Sequence, residues 1–230
     1  MSRARILPVA MVLLAPLLAA CAGNDPTVAL LVADRSDSAS RAVHVEAFTD
    51  RVEATCAACR VRVYDAEGDV ETQKNQARQA EADAVDVLVV VPVEPDELAS
   101  MVSRDLPVVS LGELVPGSDR FVGLAGGEVP VQRGSDLEAA REVLMGEEQA
   151  MTYVPTRAMT ERAADVAVAF LADTVPEGGA DVDGVDTWLY EDVRVTVDDL
   201  TSVLVADGAI TLDDLCAGTT ARRCVRWGLR

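Results

Sequence analysis

The sequence predicts an α/β fold, a Rossmann-like parallel sheet with helices on both faces. Three observations carry this. Short apolar runs recur at 27–33 (TVALLVA), 85–93 (VDVLVVVPV), 106–111 (LPVVSL) and 121–124 (FVGL). Segments with helical patterning lie between the first of them, which is the alternation that βαβ units require. The runs are continuous rather than alternating, as strands buried on both faces demand.

Element by element, 27–33 is the first strand. Asp34-Arg35-Ser36-Asp37-Ser38 is a polar loop rich in N-cap residues, and 39–55 suits a helix. Residues 60–65 (RVRVYD) alternate as a strand does. A polar helix over 69–84 carries Gln73, Gln76 and Gln79. After the 85–93 strand, 95–104 is a short helix with Pro95 in its first turn. Beyond the strand at 121–124 the regularity weakens. Residues 126–135 form a Gly- and Pro-containing connection, 137–145 reads as a helix and 150–154 as a strand. Residues 156–174 form an amphipathic helix with Met159, Ala163, Val166, Phe170 and Leu171 near one face. An acidic Gly/Pro loop over 175–187 follows, then 188–197, a helix near 198–206 and an Arg-rich tail.

The 230 residues carry 20 Lys+Arg against 39 Asp+Glu, a net charge of −19. Such a surface repels nucleic acid, whose phosphates need a basic face. Half the residues are apolar, which excludes wholesale disorder. One His excludes His-rich metal sites and leaves any His-dependent catalysis to His44. His44 has no Ser or Cys nucleophile signature to pair with. Asp181-Val-Asp183-Gly184-Val-Asp186 lacks the spacing of a calcium loop. Gly123-Leu-Ala-Gly126-Gly127 lacks dinucleotide-binding spacing and reads as a turn. Trp188 and Tyr190 read as strand contacts before a stacking platform. No catalytic residue, metal site or cofactor is expected.

Residues 1–20 read as a signal peptide, with Arg3 and Arg5 ahead of a short apolar run broken by Pro8 and Pro16. The run ends Leu18-Ala19-Ala20-Cys21, similar to a bacterial lipobox, which implies cleavage before Cys21 and acylation of it. Residues 21–26 then form the lipidated Cys and tether, several acyl chains giving a stable anchor. The expected location is extracytoplasmic, on the cell membrane. Four further cysteines, Cys56, Cys59, Cys216 and Cys224, suit two disulfides in that compartment. Three pairings are open, the local one being simplest. A Cys56-Ala-Ala-Cys59 redox motif and a four-Cys zinc site compete with them. The redox motif is disfavoured because this pair follows a helix rather than heading one.

Several stretches together resemble a known group. They are the first strand and its Ser/Arg loop (28–41), Cys56-Ala-Ala-Cys59-Arg-Val-Arg-Val-Tyr64, the Gln-rich helix, VDVLVVVPV and Met151-Thr-Tyr-Val-Pro155. The last are Val195-Thr-Val-Asp-Asp199, Val205-Ala-Asp-Gly208, Leu215-Cys216-Ala-Gly218 and Cys224. In these the chain resembles the periplasmic-binding-protein type I family, specifically the lipid-anchored xylose/ribose-type sugar-binding proteins of bacterial ABC importers. The resemblance implies two Rossmann-like lobes around a sugar cleft, a sugar ligand and a membrane permease as partners, and the pairings 56–59 and 216–224. Lobe one spans 27–125. Residues 126–175 would be a hinge connection and a helix returning to that lobe. Residues 176–230 would be an acidic loop and a disulfide-closed tail, so that one complete lobe is joined by only a remnant of the second, most of whose sheet is missing.

The ligand set departs from the family pattern. Val91-Pro92, Gly112-Glu113, Ala125-Gly126, Gly134 and Val154 stand where polar sugar ligands are expected. The candidates that remain are Asp34, Arg35, Asp37, Arg41, Glu94 and Glu113, at the strand ends where open α/β sheets bind ligands. Two functions follow. One is a non-catalytic, lipid-anchored solute-binding protein. The other is a degenerate surface lipoprotein that no longer binds sugar and acts as an interaction or structural module. An exposed inner lobe face would promote association, so a homodimer is a further expectation.

Overall fold

The computed structural model describes residues 25–35, 44–102, 105–126 and 135–229. The signal segment, Cys21, Asp37 and Arg41 lie outside the described residues. In chain order the elements are β1 (Thr27–Val32), α1 (Val45–Thr55), β2 (Arg60–Asp65), α2 (Val70–Ala82), β3 (Val87–Val90) and α3 (Pro95–Leu98). There follow β4 (Val108–Gly112), β5 (Arg120–Leu124), α4 (Asp136–Met145), β6 (Met151–Tyr153) and α5 (Thr156–Leu171). The last are β7 (Ala180–Val182), β8 (Val185–Tyr190), β9 (Val193–Val195), α6 (Leu212–Leu215) and α7 (Ala221–Arg226).

Seven strands form one sheet in the order β2-β1-β3-β4-β5-β8-β7. All neighbours are parallel except the β7–β8 hairpin. The register sets Val28 between Val61 and Val87, so β1 is a central strand, and Val28 to Leu31 are wholly buried. Apolar side chains at successive positions serve two cores. Val28, Leu30, Val87 and Val89 face α1 and α5. Ala29, Leu31, Leu88 and Val90 face α2 and α3. This is why the strand sequences do not alternate.

α1 turns Phe48 and Val52 inward, and α5 lays Ala163, Ala164 and Ala167 beneath it. Those small side chains let the two helices approach closely. Asp69 caps α2 by accepting from the Thr72 amide at 2.6 Å. Ser135 and Glu138 make a reciprocal cap at the head of α4, and Gly146 ends it in the left-handed conformation (φ 82°). Arg120, on β5, is buried against the other end of α5. It donates to the carbonyls of Thr174 (2.7 Å) and Val166 (3.3 Å) and stacks 3.7 Å over the Phe170 ring.

After β5 the chain builds a second, smaller core. α4, α6, α7 and the antiparallel pair β6–β9 enclose Leu144, Tyr153, Val195, Leu200, Leu204 and Leu215. A turn of π-helix over Thr201–Val205 lies between β9 and α6. Among the described residues this unit holds two strands, with no parallel sheet of its own.

The disulfides are Cys56–Cys59 and Cys216–Cys224, with Cα separations of 5.3 and 5.8 Å. Cys59 sits in the main core, whereas Cys216 and Cys224 sit in the small one, so the four do not assemble into one metal site. No cluster of potential metal ligands occurs among the described residues, and no helix there is long and apolar enough to cross a membrane.

Several elements differ from the sequence reading. The 175–187 segment is not all loop, because it holds β7 and the start of β8. Asp183 and Gly184 both have positive φ (54° and 86°), the turn that joins strands through two residues. The stretch 188–197 divides between two sheets, β8 in the large one and β9 in the small one. The helix at 95–104 is one α-turn, Pro95–Leu98, followed by a 3₁₀ turn over Ala99–Met101. The helix at 198–206 is the π-turn. The helix expected over 39–55 is seen from Val45, residues 39–43 lying outside the described set.

Candidate functional site

The chain leaves β1 toward β2 on one side and returns from β2 through α2 to β3 on the other. The carboxyl ends of β1 and β3 therefore flank the point where strand order reverses, the crevice in which such sheets bind ligands. Asp34 and Arg35 follow β1, Glu94 follows β3 and Glu113 follows β4. Because β1, β3 and β4 are adjacent, the fold brings these four residues to one edge. Arg35 and Glu94 are exposed, while Asp34 and Glu113 are half-buried. Asp34 lies beside the β2–α2 turn, with its Oδ2 3.9 Å from where a Cβ on Gly68 would stand.

Gln73 fixes this edge. Its amide is wholly buried and spans the exit of β3. Nε2 donates to the Val91 carbonyl at 2.8 Å, and Oε1 accepts from the Val93 amide at 2.9 Å. The side chain replaces a missing strand neighbour for a segment that has left the sheet.

A second set of polar groups stands where the small core meets the same edge. His44 precedes α1, and its Nε2 lies 3.1 Å from Thr156 Oγ1 at the start of α5. Tyr153, at the end of β6, donates its hydroxyl to Asp207, beyond the π-turn. Arg157 holds Glu161 at 3.0 Å. Burial and then the nearby Arg157 guanidinium hold the His44 imidazole below its usual range. Burial, reinforced by Asp207, pushes the Tyr153 phenol up. Burial raises the Asp136 carboxyl at the head of α4. The set offers uncharged and charged donors and acceptors suited to hydroxyl groups.

The sequence reading missed this junction as a site. It placed Met151 to Pro155 and Val205 to Gly208 within the family resemblance, but not in contact. A polar side chain flanking each of two short apolar segments was the available signal. His44, which has no nucleophile signature near it in sequence, is half-buried at the junction. Trp188 is 3% exposed in the main core, with its indole donating to the Glu177 carbonyl, so it is a strand contact.

No family model matches the sequence, and no curated protein matches it. Solved structures do. An ABC transporter solute-binding protein from Clostridium phytofermentans, with bound β-D-glucose, superposes with a TM-score of 0.64 at 12% identity. That match covers 82% of this chain and 99% of that one. A carbohydrate transporter solute-binding protein from Chloroflexus aurantiacus, in complex with D-glucose, gives 0.61 at 12%, covering 81% and 97%. The Caulobacter myo-inositol binding protein, bound to myo-inositol, gives 0.57 at 15%, covering 78% and 96%. At these identities the likeness establishes the fold.

Proposed function

From the periplasmic-binding-protein type I fold that this chain shares with sugar-binding solute-binding proteins, we propose that it is an extracytoplasmic solute-binding protein. On this reading it takes a sugar or polyol without catalysis, is anchored by lipid on Cys21 and hands its ligand to a membrane ABC permease. The observation that supports the reading is the topological placement of two polar sets toward the carboxyl ends of the sheet strands. The strand-end residues Asp34, Arg35, Glu94 and Glu113 share the carboxyl edge of the sheet with the junction of His44, Tyr153, Thr156, Arg157 and Asp207. Asp37 and Arg41 belong to the same loop in sequence and remain part of the proposed set. Carboxylates and guanidinium groups at a preformed edge are the means by which proteins hold neutral hydroxyls.

Thermal unfolding of residues 22–230, which contain every described element, tests this against a panel of pentoses, hexoses and inositols. A ligand bound only by the folded state at a hundredfold excess over its Kd adds about 2.7 kcal/mol. One sugar should give a saturable rise in midpoint, and Asp207→Asn should diminish it. If none shifts the transition at millimolar concentration, solute binding is refuted. A second reading then stands, a surface lipoprotein that binds a protein partner. It is favoured by the two-stranded small unit, which gives a clamshell little to close against.

A further inference from the structure

The acidity of this chain is not uniform. From Leu215 onward the sequence carries Arg222, Arg223, Arg226 and Arg230 and no acid. The first three lie on α7. That helix is pinned from beneath, because Cys224 is wholly buried in the small core and bridged to Cys216. Thr220, just ahead of it, donates to the Leu215 and Ala217 carbonyls. With Cys224 inward, helical geometry turns Arg222, Val225 and Arg226 outward, and all three are exposed. Val225 is 68% exposed and Trp227 46%.

The three arginine side chains make no hydrogen bond or ion pair among the described residues. Arg222 and Arg226 are four positions apart, where like charges repel on a helix. An anion would relieve that repulsion. Nucleic acid has no use for an exposed valine beside the cations. A lipid surface uses both, headgroup phosphates for the arginines and the acyl boundary for Trp227 and Val225. The acidic remainder of the protein is screened beyond about 8 Å at physiological salt, so the local charge decides the contact.

We propose that α7 and Trp227 form a docking surface for an anionic lipid bilayer. The inference does not rest on solute binding. It is tested without acylation, so it is separable from an anchor on Cys21.

The test uses residues 22–230 with vesicles of phosphatidylcholine alone or containing phosphatidylglycerol, followed by flotation and by tryptophan emission. Trp188 is buried, so a blue shift on binding reports Trp227. Binding should require phosphatidylglycerol and weaken in high salt. Arg222→Gln/Arg226→Gln should lower partitioning by about 25-fold, since each arginine near such a surface is worth roughly fivefold. Trp227→Ala should abolish the blue shift. Unchanged thermal midpoints would show that these exposed substitutions leave the fold intact. Failure to bind phosphatidylglycerol vesicles at physiological salt would overturn the proposal. So would equal binding by the double variant, or an equal emission change with an acidic peptide in place of vesicles.

Discussion

Gln73→Glu isolates what holds the carboxyl edge of the sheet in place. In the native protein the Gln73 amide donates to the Val91 carbonyl and accepts from the Val93 amide, in a wholly buried position. A glutamate keeps the acceptor but sets a second oxygen against the Val91 carbonyl. Ionised, it leaves that carbonyl unpaired and buries a charge. Protonated, its O–H donates to Val91 and its carbonyl accepts from Val93, restoring both bonds. The variant's folded-state carboxyl is therefore held above its unfolded value. The stability is fully regained below the unfolded value and is lost as pH rises from there through the raised folded value. An unpaired buried group costs about 1–3 kcal/mol, so Gln73→Leu, which strands two, should lose about 3 kcal/mol at every pH. In a chain of this size that is a midpoint drop of about 6–12 °C. Urea or thermal denaturation from pH 5 to 8 reads both variants. A Gln73→Glu deficit that is flat with pH, or a Gln73→Leu loss under about 0.5 kcal/mol, would refute the clamp.

Three other outcomes follow. The lowered His44 value means that the native state resists protonation, so stability should fall as pH drops below 6.5, and His44→Gln should flatten that slope; an imidazole NMR midpoint above 6.5 would contradict it. Arg120→Met should cost about 3 kcal/mol in denaturant unfolding, because it strands the Thr174 carbonyl and removes the stack on Phe170; a loss below 1 kcal/mol would mean that the guanidinium's burial cost cancels its contacts. Cys216→Ser/Cys224→Ser should cost about 2.5 kcal/mol, from the entropy of the short loop the bridge closes, and a cost near zero would mean that the small core holds α7 unaided.

The strands were legible because they are buried on both faces, and a run such as VDVLVVVPV has few other destinies. Local chemistry was legible too, as in Pro95 at the head of α3. The β7–β8 hairpin was missed although Val182-Asp183-Gly184-Val185 carries its turn signal. Surrounding acids and glycines masked two very short strands. The π-turn could not be read, since one inserted residue does not disturb the apolar spacing of 198–206. The junction was the least legible part. His44, Tyr153, Thr156 and Asp207 come from four separate segments, and only packing of the small core on the sheet edge brings them together. Gln73 is similar, because nothing in a polar helix distinguishes the glutamine that is wholly buried.

The interruption of the large sheet has a consequence for how the molecule assembles. Strands β1 to β5 can pair as soon as they are made, since each finds a neighbour already present. The next neighbour of β5 is β8, and Arg120 must find Asp186 across α4, β6, α5 and β7. Closing so long a loop is slow, although each doubling of its length costs only about 0.6 kcal/mol. Until it closes, Phe121 to Leu124 present an unpaired, apolar strand edge, the kind on which chains stick to one another. Folding yield should therefore depend on how quickly that intervening chain, which includes α4 and β6, packs and delivers β8. Substitutions in its core should show up as aggregation during refolding before they show up as a loss of equilibrium stability.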